Sequence, residues 1–113
     1  MRKIKNVDDA IEKFKMAAID NRVCAYNGNY RKANRAYDNL MQIKKYLLEN
    51  NALDLLKQLY EDPNLWVRLA AAIVMAPWDE INAFNIVKKM TDGEGLYSFS
   101  AKRTLLNWDK LNK

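Results

Sequence analysis

The chain contains no histidine, one cysteine, two prolines and three glycines in 113 residues. Without imidazole there is no Ser-His-Asp or Cys-His arrangement, no histidine general base and no histidine ligand for zinc. Cys24 alone forms neither an intrachain disulfide nor a thiolate cluster, and a single unpaired thiol agrees with a reducing, cytoplasmic location. So little glycine and proline argues against a turn-dense β fold, and no run of 18 apolar residues is present to span a bilayer. The start, Met1-Arg2-Lys3-Ile4-Lys5-Asn6, is basic but lacks the apolar stretch of a secretory signal. What the chain does have is a globular balance, 50% hydrophobic and 29% charged, with abundant Ala, Leu, Lys, Asn and Ile. One soluble all-α domain over residues 1–113 is expected, binding no metal or other cofactor.

The net charge is +5, and its distribution is uneven. Residues 1–50 hold eleven Lys/Arg against six Asp/Glu, whereas residues 51–113 hold eight of each. A basic half suits an acidic protein surface or nucleic acid, and it equally suits a solvated helical face, since no block of five or six like charges occurs.

Helical periodicity runs through most of the chain. Asn6 is a candidate N-cap with Asp8 and Asp9 in the first turn, and Val7, Ala10, Ile11, Phe14, Ala17, Ala18 and Ala25 share a stripe, predicting a helix over 7–26. Asn27-Gly28-Asn29 breaks it. A second helix is predicted over 30–49, with Tyr30, Ala33, Tyr37, Leu40, Met41, Ile43, Leu47 and Leu48 inward and a charged opposite face. On that face Arg31 and Arg35 lie one turn apart, and Lys45 can pair with Glu49. Asn50-Asn51 supplies the next stop. Residues 52–60 read as a short helix with Leu53, Leu55, Leu56 and Leu59 inward, ended by Asp62-Pro63. From Leu65 to Ala76 only Arg68 is charged, and a helix apolar on nearly every side is packed on nearly every side. Pro77 closes it, Asp79 and Glu80 open a fifth helix to about Met90, Asp92-Gly93-Glu94-Gly95 is a connector, and a last helix is predicted over 99–108.

The string Asp62-Pro63-Asn64-Leu65-Trp66-Val67-Arg68-Leu69-Ala70-Ala71-Ala72 resembles the turn and second helix of a HEAT or armadillo-like repeat, D-P-x-x-x-V-R-x-x-A-A. Proline suits a helix's first turn, Asp62 can cap it, and the Arg68 guanidinium needs a nearby anion, for which Asp62 is the candidate. Both residues are therefore expected to be structural. With the long hairpin before the string, Asp79 to Met90 after it, and Phe99-Ser100-Ala101-Lys102 through Leu105, Leu106 and Trp108, the chain resembles a bacterial family of short helical-repeat proteins known as a domain of unknown function. The resemblance spans nearly the whole chain and is sharp only over Val67 to Ala72. It implies a right-handed stack of about six helices, a HEAT/armadillo-like α-α superhelix. Residues 1–50 would form a long N-terminal hairpin and 51–113 two helix pairs. Each hairpin would expose an apolar face until its neighbour covers it, so the chain is expected to unfold as one unit.

Tyr26, Tyr30, Tyr37, Tyr46, Trp66, Trp78 and Trp108 can be read as stacking platforms for single-stranded nucleic acid, but helical spacing makes Tyr30 and Tyr37 core or half-core positions. Met16, Met41, Met75 and Met90 read as packing filler. Asp8-Asp9-Glu12 and Asp79-Glu80 sit at helix starts, where dipole compensation explains them better than acid-base or metal chemistry. Proteins of the resembled kind present a surface to another macromolecule, and some small bacterial ones resemble immunity proteins. The expected function is therefore non-enzymatic binding of a protein partner such as a toxin domain, through Arg31, Lys32, Arg35, Lys44 and Lys45. Nucleic-acid binding by the same basic half is the alternative, and no membrane association is expected.

Overall fold

The computed structural model describes residues 1–111, and every regular element among them is helical. The order is α1 (Val7–Tyr26), α2 (Tyr30–Glu49), a 3-10 segment (Leu53–Glu61), α3 (Leu65–Met75), α4 (Glu80–Met90), α5 (Leu96–Leu106) and the single turn α6 (Trp108–Leu111). The chain divides into two compact units, Met1–Leu55 and Leu56–Lys113, with the boundary inside the 3-10 segment.

In the first unit, α1 and α2 pack along each other as a helical hairpin. Asn6 caps α1 through its side-chain oxygen, which accepts the Asp9 N–H at 2.8 Å. The Asp9 carboxylate in turn accepts the Lys5 N–H at 2.9 Å, so a donor just before the helix is satisfied as well as one in its first turn. At the far end, the Asn29 N–H donates to the Cys24 carbonyl (2.8 Å) and the Gly28 N–H to that of Ala25 (3.2 Å), a Schellman closure. It requires a left-handed residue, and Gly28 stands there at φ +80°. The end of α2 repeats the device with Asn51 at φ 52°: Ala52 N–H donates to Leu47 (2.8 Å) and Asn51 N–H to Leu48 (3.2 Å). Phe14, Ile43 and Leu47 are fully buried, each burial being worth about 1.5–3 kcal/mol. Asn21 Nδ2 donates to the Ala33 carbonyl at 2.9 Å, tying the helices together near the turn.

Two expectations fail here. Tyr30 and Tyr37 are 68% and 53% exposed, and Met16 stands 65% exposed on α1. The buried seam of α2 is Ala33, Ala36, Leu40, Ile43 and Leu47, alternating steps of three and four that leave both tyrosines on the flank.

The 3-10 segment is also a departure from the expected α-helix. At three residues per turn, Leu53, Leu56 and Leu59 fall on one face and are buried, while Leu55, read as inward, is turned out and 43% exposed.

In the second unit, α3 packs against α4 and α5, which also pack against each other. None of the eleven residues of α3 is exposed. Leu69, Ala71, Ala72 and Met75 have at most 1% of their surface accessible, as the nearly uniform apolar sequence requires. Its N-cap is Asn64 and not the expected Asp62: Asn64 Oδ1 accepts the Trp66 and Val67 N–H groups at 2.9 and 3.3 Å. Asp62 acts one step earlier, its carboxylate accepting the Asn64 N–H at 2.9 Å across Pro63. Arg68 reaches the same residue, its Nε donating to the Asp62 main-chain carbonyl.

Tyr60 OH donates to Asp79 Oδ2 at 3.1 Å, pinning the end of the 3-10 segment to the start of α4. Tilted Trp66–Tyr97 rings (centroids 4.3 Å apart) join α3 to α5, and an edge-on Phe84–Trp108 pair (5.5 Å) joins α4 to α6. The helix expected over 99–108 is α5 and begins at Leu96, three residues earlier, where Gly95 takes φ +88° as its N-cap. It ends at Leu106, leaving Trp108 in α6.

Candidate functional site

Helix α2 carries all five cations singled out in the sequence, and the helical spacing sorts them. Arg31, Arg35, Asp38, Gln42, Lys45 and Glu49 follow one another by three or four residues and form a single outward strip, every member exposed. The strip thus carries three cations and two carboxylates, opening on Arg31 and Arg35, and Lys45 Nζ lies 3.9 Å from Glu49 Oε1. Lys32 is exposed but stands off this line, and Lys44 is half-buried beside the seam residues Leu40 and Leu47. The structure therefore sets Arg31, Arg35 and Lys45 on one line of the helix, Lys45 about 15 Å along the axis from Arg35, and places Lys32 and Lys44 off that line.

Between the strip and the buried seam runs the flank that sequence periodicity misassigned. Tyr30, Tyr37 and Leu48 are exposed there, with Met41 half-buried among them. The signal that locates them is the regular alternation from Ala33 to Leu47, which completes the seam using alanines in place of the larger tyrosines.

The N-terminal segment borders two clefts of about 410 Å³ each, both lined by Met1 and Arg2, and the second reaches the Gln42, Lys45 and Glu49 end of the strip. One is lined by Arg2, Asp9, Glu12, Lys13, Met16 and Asp20 among others, and the second by Lys3, Ile4, Gln42, Lys45, Tyr46 and Glu49. Asp9 is the node that fixes this edge. Lys13 Nζ lies 2.6 Å from its carboxylate, and with the Lys5 N–H this contact holds the Asp9 carboxyl below the usual aspartate range, against a smaller opposing effect of desolvation. Asp9 thereby combines capping, ion pairing and anchorage of the N-terminal segment.

Among the described residues no group of three or more His, Cys, Asp or Glu side chains is placed to hold a metal ion. Asp79 does not cap α4 with its side chain; its carboxylate is occupied by Tyr60 and by Asn82 Nδ2 at 3.0 Å. Cys24 is a half-buried free thiol near the end of α1. No helix among the described residues is long and apolar enough to cross a membrane. No protein-family model matches the chain, and no curated protein or solved structure matches it either.

Proposed function

We infer that the protein is a non-enzymatic binding module that engages another protein through the α2 side of its N-terminal hairpin, most concretely an immunity protein that occludes a cognate bacterial toxin domain in the cytoplasm. The observation that carries this inference is the exposure of Tyr30 and Tyr37 on the helix that also presents Arg31 and Arg35. Tyrosine and arginine are the residue types that dominate binding energy at protein interfaces, because each offers a large, partly apolar contact with a hydrogen-bonding tip. The cations on the strip favour an acidic partner surface and steer its approach, and Asp38 and Glu49 between them fix register. The α3 motif and the packed helices of each unit accord with a HEAT-like, right-handed stack serving as a preformed scaffold, so little ordering is needed on binding.

Coexpression with the product of an adjacent toxin-like reading frame tests the proposal. Protection from growth arrest and a co-purifying stoichiometric complex are expected; unrelieved arrest with no complex contradicts it.

Nucleic acid is the alternative partner, favoured by the same exposed tyrosines, which could stack on bases beside Arg31 and Arg35. Phosphate binding makes affinity fall steeply with salt. Fluorescence anisotropy with random DNA and RNA at low salt separates the two partners: a protein-binding hairpin gives no signal.

A further inference from the structure

Helix α5 shows a second unpartnered surface, in the other unit. Its inward face is Ser98, Ser100, Ala101 and, beyond the helix end, Trp108, all buried. On the opposite face, Leu96, Phe99, Arg103 and Leu106 recur by three, four and three residues, and the three apolar members are 51%, 56% and 85% exposed. Solvating such a row is costly, and Leu106 in particular has almost no contact within its own chain. Arg103 is the only charge on the row, and its guanidinium lies 5.9 Å from the centroid of the Phe99 ring.

The spacing is self-complementary. When a second copy is laid antiparallel across the first about a two-fold axis that crosses the exposed row at the height of Ala101, Leu96 meets the partner's Leu106 and Phe99 meets the partner's Arg103, each pair occurring twice. The apolar ends close on each other, and the cation–π chemistry already present within one chain is supplied across the interface. Charge favours the same orientation. Asp92 and Glu94 precede the helix and Lys110 follows it with Asp109 beside it, while Lys102 and Arg103 lie one and two residues from the axis. Antiparallel copies set the Asp92 end of one helix against the Lys110 end of the other, whereas parallel copies would set each end against its like.

We propose that the Leu96–Leu106 face of α5 is an isologous homodimer interface, taken up by the same face of a second copy of this chain. One eleven-residue helix covers less than the about 800 Å² per partner of a standard interface, so the dimer is weak and forms at high protein concentration. No residue of the proposed interface belongs to α2, the helix of the binding surface proposed above.

Sedimentation velocity on the full chain from about 10 μM to about 1 mM spans the affinities such a contact supports. The weight-average mass is expected to rise toward that of a dimer, and Leu106→Glu to hold it at the monomer value with an unchanged circular-dichroism melt, since the side chain is 85% exposed. Orientation is read by oxidation in a Cys24→Ser background. Leu96→Cys combined with Leu106→Cys cross-links, and either alone does not. Monomer mass throughout, or dimerisation that survives Leu106→Glu, overturns the proposal. Cross-linking by either single cysteine overturns it as well, because it means parallel packing. A chain monomeric throughout whose Leu106→Glu variant loses a toxin-like partner reassigns the face to a foreign protein, which also overturns it.

Discussion

Gly28 adopts φ +80°, and a Cβ built there would meet no atom within 4 Å. The penalty for a side chain at this position is therefore conformational, not steric. Gly28→Ala is expected to lower stability by about 1 kcal/mol, the ordinary cost of a left-handed L-residue. A urea titration checks this against Gly93→Ala, where φ is not left-handed and the nearest contact, Met90 O at 3.9 Å, is ordinary, so no change is expected. Asp9 gives a second residue-scale expectation. Its carboxyl is held below the usual aspartate range by Lys13 and the Lys5 N–H, so its ionised form favours the folded state. The stabilisation is complete above the unfolded-state pKa and is lost as pH falls through the lower folded-state value. Asp9→Asn is accordingly expected to lower the urea midpoint at neutral pH, and the two curves to converge in strong acid. A constant gap across that range contradicts the ionic explanation.

At the scale of elements, α3 and α5 are opposites. Leu69 in α3 is 1% exposed, so Leu69→Ala should cost about 2–5 kcal/mol, as buried leucine truncations do. Leu106 in α5 is 85% exposed, so Leu106→Ala should stay within about 0.5 kcal/mol in dilute solution. Thermal or urea denaturation of both variants checks the contrast. The burial of α3 was legible because its composition leaves no polar face to offer to water. The limits of α1 and α2 were legible too, since Asn6 and the Asn27-Gly28-Asn29 break carry local signals that tertiary packing does not override. Where local signals compete, the sequence is less decisive. The leucines of 53–61 suit both a 3.6 and a 3.0 period, and only the backbone decides that Leu55 points outward. Asp62 and Asn64 are both good caps on either side of Pro63, and the helix starts from the second. Size misleads at Tyr30 and Tyr37: an aromatic side chain suggests a core position, yet the small Ala33 and Ala36 fill the seam, where their size permits close approach of backbones.

For the molecule as a whole, the surplus of positive charge lies in residues 1–50, within the first compact unit, and five exposed or half-exposed cations of α2 contribute to it. Long-range charge acts on the rate of encounter, whereas well-packed aromatic contacts act on the rate of separation. The α2 surface therefore makes a divided prediction. Surface plasmon resonance against the toxin-domain partner proposed above, at low and high salt, is the decisive measurement. Arg31→Glu with Arg35→Glu should slow association about tenfold or more at low salt with little change in dissociation. Tyr37→Ala should accelerate dissociation by a factor equivalent to about 2 kcal/mol, and Leu106→Glu should alter neither rate. Absence of binding by the unaltered chain, or α2 variants that bind as it does, contradicts a partner surface on α2.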